Sequence, residues 1–194
     1  MESSLTNIIE RLDQNPRIAL SGFTSEKIQK VRFFSYGSNL NEDDFREEMK
    51  NKGYECGLIN VDKRTLQGYR SFLNNESTSH GLAFSIHYYK SGSSQGICHD
   101  IPIEALDAFL EKEGLYSHQP KYKLITLRLS QESKPVLSLE GIRRTSTSRI
   151  DDGQKKKVVK YIDTTIKGAT SWKIDTRYLE RLKRKMSSAE YTVK

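Results

Sequence analysis

The chain of 194 residues lacks the features that mark membrane-spanning and secreted proteins. No apolar run approaches the ~18 residues needed to cross a bilayer, so no membrane association is expected. Residues 1–6 contain neither a basic segment nor an apolar core, which argues against a secretory signal. The sequence therefore predicts a cytoplasmic protein.

Cysteine and histidine are also scarce. The two cysteines, Cys56 and Cys98, lie in predicted strands without metal-ligand spacing, and free thiols fit a reducing compartment. The four histidines are scattered, and no pair has the helical spacing of metal ligands. The sequence therefore predicts no metal site.

Acidic residues are outnumbered by basic ones, and the net charge is +7. Such a surplus can mark a nucleic-acid surface. Here the charge is concentrated late, in the run 155–157 and within residues 177–185. These runs lack the regular interleaving of aromatic residues that supplies stacking platforms. A solvated helix face and tail is the preferred explanation, and we expect no nucleic-acid partner.

Hydrophobic periodicity along the chain predicts an N-terminal extension over residues 1–30 that contains one short helix. The main domain is predicted over residues 31–186, and a tail over residues 187–194. Helices are predicted near residues 42–50, 102–113, 158–167 and 175–186. Strands are predicted near residues 54–73, 81–89, 95–99, 122–129 and 135–142, with a hairpin turn at residues 91–94. Residues 143–157 are expected to form an exposed loop. Because strands and helices do not alternate regularly, we expect an α+β fold, a small mixed β-barrel flanked by helices.

The chain is organised around residues 31–41, which read VRFFSYGSNLN. The aromatic residues up to Tyr36 suit a half-buried strand, and Gly37 permits a close approach that a side chain would block. Asn41 can then cap a helix with an acidic first turn. Such a junction leaves backbone N–H groups without partners near the positive end of a helix dipole, so it can receive an anion. A tight turn between two elements is the alternative.

One carboxylate stands out by its position. Glu113 lies at the end of the helix predicted at residues 102–113, directly before Gly114. The negative end of the helix dipole disfavours a charged group there, which would make Glu113 a better proton acceptor. A solvent-exposed terminal glutamate is the alternative, and Glu111 is a competing candidate on another face of the helix.

Taken in order, these motifs resemble the gamma-glutamylcyclotransferase-like family. Its loop motif is matched without change by Tyr36, Gly37, Ser38, Asn39 and Leu40. Its catalytic Glu-Gly, which follows a Leu-Asp helix, is matched by Glu113-Gly114, although the helix is longer than in the nearest members. A tyrosine soon after that glutamate is matched by Tyr122, after a small insertion.

The resemblance continues towards the end of the chain and covers roughly residues 32–182. The family's late tyrosine, Gly-Ala pair and final-helix tyrosine are matched in spacing by Tyr161, Gly168-Ala169 and Tyr178. The Pro-Ser that usually precedes the first of these is replaced by Lys157-Val158.

The resemblance implies a transferase or lyase type of cyclisation within glutathione metabolism. A small gamma-glutamyl compound is converted to 5-oxoproline and a free amine or amino acid, without metal or organic cofactor. The N–H groups of residues 37–40 would hold the glutamyl group, and Glu113 would transfer protons. Tyr122 and Tyr161 would wall the pocket or hydrogen-bond the substrate, and plain core packing is the alternative for both. The alternative function is a non-catalytic binding module on the same fold, which would use its basic C-terminal surface or N-terminal helix.

Overall fold

The computed structural model describes residues 29–77, 79–118, 120–132, 136–142, 145 and 150–188. Its strands are β1 (Lys30–Ser35), β2 (Ile59–Ser77), β3 (Gly81–Pro102), β4 (Tyr122–Leu127) and β5 (Val136–Gly141). Its α-helices are α1 (Glu42–Lys50), α2 (Ile103–Lys112), α3 (Asp152–Ser171) and α4 (Arg177–Ser187), and a 3-10 turn at Ser38–Leu40 joins β1 to α1. The helix predicted within residues 1–30 and most of the predicted tail lie outside the described residues.

The strands form one mixed sheet in the order β2–β3–β1–β5–β4. The C-terminal part of β3 pairs antiparallel with β1, and β1 pairs parallel with β5. Because β3 has 22 residues, its first part extends beyond β1, where Ile86 pairs with Glu140 of β5. Within the described chain β2 and β4 remain at opposite edges. The predicted α+β class is confirmed, but the sheet is not closed into the predicted barrel.

The hairpin predicted around residues 91–94 is wrong. β3 runs through that segment, and the observed hairpin joins β2 to β3 between Ser77 and Gly81. Tyr69 pairs with Tyr88 while Gln67 pairs with Ser93, so β3 bulges between these positions. A Cβ on Gly92 would lie 2.7 Å from the carbonyl oxygen of Tyr69. The serine–glycine cluster therefore marks a bulge packed against β2.

Most helices begin and end close to the residues predicted for them. Asn41 occupies the N-cap of α1 without a side-chain capping bond, and Gly114 follows α2 with φ +76°. α3 begins earlier than predicted, inside the expected loop. Asp151 accepts from the Gln154 N–H at 2.7 Å, and the Gln154 side chain accepts from the Asp151 N–H at 3.0 Å. This capping box starts the helix before its apolar stripe begins.

Two buried clusters bring the ends of separate elements together. In the first, β1, α1 and α2 meet through Phe33, Phe45 and Phe109, and the Phe33 and Phe109 rings are 4.8 Å apart. In the second, α3 packs on β3 and on Leu40 of the 3-10 turn. The turn after β1 and the end of α2 consequently share one edge of the sheet. No helix of the described residues has the length and apolar character of a membrane span.

Candidate active site

A cavity of about 270 Å³ lies where the turn after β1, the end of α2 and the middle of α3 converge. Of the predicted catalytic and substrate-binding residues, all but Leu40 line it. These are Tyr36, Gly37, Ser38, Asn39, Glu113, Tyr122 and Tyr161. Segments distant in sequence therefore contribute to one concave site, which is the usual form of a small-molecule pocket.

The Glu113 carboxylate faces the turn across this cavity. Its Oε1 accepts a hydrogen bond from Asn39 Nδ2 at 2.8 Å, and the side chain is 14% exposed. Oε1 also accepts from Lys112 Nζ at 2.7 Å. Among the described residues, Oε2 has no hydrogen-bond partner. One carboxylate oxygen is thus fixed by two donors, and the other can accept a new proton.

Lys112 is a site residue that sequence reasoning missed. Its Nζ donates to Asn39 Oδ1 at 2.6 Å and forms an ion pair with Glu48 Oε2 at 2.9 Å, in addition to its bond to Glu113. Burial lowers the pKa of Lys112, but the carboxylates of Glu113 and Glu48 outweigh burial, so the pKa is raised and the side chain stays an ammonium.

The ammonium also lies 5.5 Å from the centroid of the Phe109 ring and 5.7 Å from that of Phe45. Such positions over aromatic faces attract a cation. Lys112 follows Phe109 by three residues, so the helical spacing alone could have placed Lys112 on the buried face of α2.

Position 37 requires glycine because the site leaves no room for a side chain there. Its φ of −124° is open to other residues. However, a Cβ on Gly37 would lie 2.7 Å from the hydroxyl oxygen of Tyr161, a residue only 5% exposed. The close approach that the sequence predicted is therefore an approach of α3 to the turn.

The tyrosine hydroxyls are bonded to protein groups around the cavity. Tyr161 accepts from the Phe84 N–H at 3.1 Å and also hydrogen-bonds Ser38. Tyr122 donates to the Phe84 carbonyl at 2.9 Å, and Tyr36 donates to the carbonyl of Leu139. Tyr122 and Tyr161 therefore line the cavity while their hydroxyls bond the backbone of Phe84, and a contact of either with substrate stays a prediction.

Burial is the first cause that raises the pKa of each of these tyrosines. The pKa of Tyr161 rises to about 12, and the pKa values of Tyr36 and Tyr122 lie well above their usual range. The three phenols therefore remain neutral at physiological pH. They shape the cavity without adding charge to it.

Leu40 is the predicted site residue that the structure removes from the cavity wall. Its side chain is 2% exposed and belongs to the core. Its N–H donates to the Gly37 carbonyl at 3.0 Å, and its carbonyl accepts from Trp172 Nε1 at 2.9 Å. The expectation that the Leu40 amide holds a ligand is therefore corrected, because the 3-10 turn already uses this group.

The rim contains polar residues from α1 and from the segments between elements. Glu48, His80, Lys121 and Ser117 line the cavity. The His80 ring packs 4.8 Å from that of Tyr161, and burial lowers the pKa of His80. Glu111 is exposed and pairs with Lys52 at 3.2 Å, which places the competing carboxylate outside the cavity.

Comparison with known proteins shows that this chain is similar to solved structures only. No protein-family model and no curated protein matches the chain. A solved gamma-glutamyl cyclotransferase superposes with a TM-score of 0.59 at 16% identity, over 80% of this chain and 87% of the other. An uncharacterized human protein gives 0.57 at 19% identity, over 86% and 94%. A yeast gamma-glutamyl cyclotransferase specific to glutathione gives 0.57 at 12% identity, over 84% and 97%.

The resemblance inferred from the motifs is thus confirmed at the level of the fold. Each of these alignments covers at least 80% of the chain, so the likeness includes both the sheet and the helices around the cavity. The identities are too low to transfer an activity. The chain has the gamma-glutamyl cyclotransferase-like fold.

Proposed function

We propose that the protein is a gamma-glutamyl cyclotransferase that releases 5-oxoproline and a free amine or amino acid. The observation that supports this most strongly is the pairing of Glu113 with the turn. The carboxylate lies 2.8 Å from Asn39 across one cavity, opposite the backbone of residues 37–39. A carboxylate with one free oxygen and a turn that can receive an anion are the two groups this cyclisation needs.

The turn would hold the glutamyl group in a folded shape. The N–H groups of Gly37 and Asn39 are the donors in this role, since the Leu40 amide is used within the turn and the Ser38 N–H bonds the Tyr161 hydroxyl. A folded glutamyl group places its own α-amine next to its γ-carbonyl. Holding nucleophile and carbonyl together can contribute several of the ~7–11 kcal/mol seen for intramolecular reactions.

Glu113 would act as the general base and then as the general acid. The α-nitrogen forms a bond to the γ-carbonyl carbon while its proton passes to Oε2 of Glu113. The same proton then goes to the leaving nitrogen as the bond between the γ-carbonyl carbon and that nitrogen breaks. Lys112 and Asn39 would fix Oε1 during both transfers, and Lys112 remains an ammonium throughout.

The leaving group would lie against the polar rim. Glu48, His80 and Lys121 offer both signs of charge there, which suits an amino acid or peptide better than an apolar amine. The structural neighbour from yeast is specific to glutathione, and we place glutathione first among candidate substrates. The free thiols Cys56 and Cys98 fit a reducing cytoplasm, where this chemistry would take place.

The test is an assay of 5-oxoproline on a panel of gamma-glutamyl compounds. The panel contains glutathione, gamma-glutamyl dipeptides, gamma-glutamyl amines and the gamma-glutamyl-lysine isopeptide. We expect at least one compound to give 5-oxoproline and the free amine in equal amounts. Absence of product across the panel would contradict the proposal and would favour the non-catalytic alternative.

A further inference from the structure

A second concave surface lies apart from the Glu113 cavity, between α4 and the β2–β3 ladder. This cleft has a volume of about 920 Å³. Arginines contribute much of its wall: Arg70 from β2, and Arg177, Arg181 and Arg184 from α4. The three on α4 follow a spacing of four and three residues, which places them on one face of the helix over about 10 Å.

Most of these arginines have no counter-charge. Arg177 is held by Asp175 through several hydrogen bonds. Arg70, Arg181 and Arg184 form no ion pair with any residue in the described part of the chain. The cleft has only two carboxylates, those of Asp175 and Glu180. By contrast, Arg32 and Arg64 share the carboxylates of Asp62 and Glu132. The cleft is therefore a site of uncompensated positive charge.

Aromatic side chains accompany this charge. Tyr178 lines the cleft and is 43% exposed. The Arg70 guanidinium lies 4.6 Å over the ring of Tyr89, which is 45% exposed. Burial raises the pKa of Tyr178, and the charges of Arg70, Lys185 and Arg181 oppose this shift. The β3 bulge adds Ser93, Ser94 and Gln95 as hydrogen-bonding groups.

We propose that this cleft binds single-stranded nucleic acid. Unpaired arginines along a helix suit a row of phosphates, and exposed tyrosines beside them offer faces on which bases stack. An acidic peptide would form ion pairs with the arginines but would not require the exposed tyrosine faces beside them. The sequence predicts no nucleic-acid partner because its basic runs lack interleaved aromatic residues. In the folded chain, however, β2, β3 and α4 together place arginines beside tyrosines, and this changes the expectation.

This binding site is independent of the proposed catalysis. Tyr36 and Phe84 line both the cavity and the cleft, so the two surfaces lie back to back. None of the four arginines lines the cavity that contains Glu113. Variants of α4 can therefore be tested for binding and for 5-oxoproline release separately.

The experiment measures binding of the full-length protein to fluorescent RNA and DNA strands of mixed sequence and about 12 nucleotides, a length typical of such sites. Fluorescence anisotropy is recorded at several salt concentrations. We compare wild type with Arg181→Glu/Arg184→Glu and with Lys156→Glu/Lys160→Glu. The control pair makes the same change of charge on exposed residues of α3. Arg181→Gln/Arg184→Gln provides a milder variant in case the glutamates disturb the fold.

We expect the arginine variants to lose affinity about tenfold or more, with the salt slope reduced by about 1.4, or about 0.7 for each lost phosphate contact. Tyr178→Ala should weaken binding about fivefold or more with an unchanged salt slope, because stacking does not release counterions. The lysine control should stay within about twofold of wild type.

Three results would overturn the proposal. Equal losses in the arginine and lysine variants would mean attraction by net charge alone. Tighter binding of duplex than of single strands would exclude a stacking site. Binding of an acidic peptide with the same dependence on Arg181 and Arg184, but without dependence on Tyr178, would identify the occupant as a protein segment.

Discussion

Gly168 of α3 lies directly against Leu40 of the turn. A Cβ on Gly168 would lie 2.3 Å from the carbonyl carbon of Leu40 and 2.4 Å from the Asn41 nitrogen. One helical turn later, Trp172 donates its indole N–H to the Leu40 carbonyl at 2.9 Å. α3 therefore holds the turn by backbone contact, and this contact sets where Ser38 and Asn39 stand in the cavity.

Substitution of Gly168 by alanine should accordingly damage both stability and activity. Because two backbones would have to separate, we expect Gly168→Ala to lower the free energy of unfolding by about 3 kcal/mol. Displacement of the turn should also reduce kcat/KM for 5-oxoproline release about tenfold. Urea denaturation and the product assay measure these effects. Gly153→Ala in the same helix is the control: its Cβ would lie 3.3 Å from the side-chain oxygen of Asp151 and would meet no backbone outside its own helix in the described chain, so the free energy of unfolding should change by less than about 1 kcal/mol. A Gly168→Ala protein as stable as wild type would disprove the role of this contact.

A side chain at Gly37 should act through Tyr161. Gly37→Ala places a Cβ 2.7 Å from the Tyr161 hydroxyl, so we expect a loss of about 2 kcal/mol in stability and a larger loss of turnover than Ser38→Ala causes. Tyr161→Phe removes the hydroxyl that the Cβ would meet. The double variant should therefore be more stable than the sum of the single effects predicts, as a double-mutant cycle can show. Strict additivity would mean that Gly37 is needed for another reason.

Lys112 should stabilise the site through charge. Lys112→Met keeps the packing of the stem on Phe45 and Phe109 but removes the ammonium from Glu113 and Glu48. Leaving a buried charge without its partner costs about 3 kcal/mol, to be measured by urea denaturation. Combined with Glu113→Gln, the same change should cost less. Lys52→Met breaks the exposed pair with Glu111 and should cost less than about 1 kcal/mol. Equal costs at Lys112 and Lys52 would contradict the geometry.

Buried His99 should make stability depend on pH. Burial first, and then the charges of Arg32 and Lys112, lower the pKa of His99 from 6.5 to about 3. The unfolded chain therefore binds a proton near pH 6.5 that the folded chain refuses. Stability is fully present above that pH and falls below it, by about 1.4 kcal/mol per unit until pH approaches 3.

Urea denaturation between pH 7 and pH 4 tests this dependence. His99→Gln should lower the slope below pH 6.5 by about 1.4 kcal/mol per unit, since glutamine does not titrate. His118→Gln, at an exposed position, should leave the slope as in wild type. A His99→Gln slope equal to that of wild type would show that His99 is charged in the folded protein.

Short-range signals were sufficient for the parts of the fold that depend on neighbouring residues. Gly53 and Gly114 follow α1 and α2 with φ values of +86° and +76°, and the helix ends predicted near residues 50 and 113 are observed close by. The order strand, turn and helix over residues 30–50 is observed as predicted. The same local signals predicted the residues that meet in the cavity, because the motif lies at a chain reversal and Glu113 lies at a helix end.

Long-range pairing could not be obtained in this way. The serine–glycine cluster at residues 91–94 fits either a turn or a bulge, and only its packing on Tyr69 decides between them. Lys112 is next to Glu113 in sequence, but its place in the site depends on how Glu48 of α1 packs against α2. The Leu40 amide looked free because the 3-10 bond to Gly37 has no sequence signature.

The central claim is that the Glu113 carboxylate transfers the proton in 5-oxoproline release. The most direct measurement compares Glu113→Gln with Glu111→Gln on the best gamma-glutamyl substrate. These variants make the same change two residues apart, one inside the cavity and one at the exposed surface. We predict that Glu113→Gln lowers kcat by about 100-fold or more while Glu111→Gln keeps wild-type kcat, with both proteins folded. Turnover by Glu113→Gln equal to that of Glu111→Gln would contradict the account.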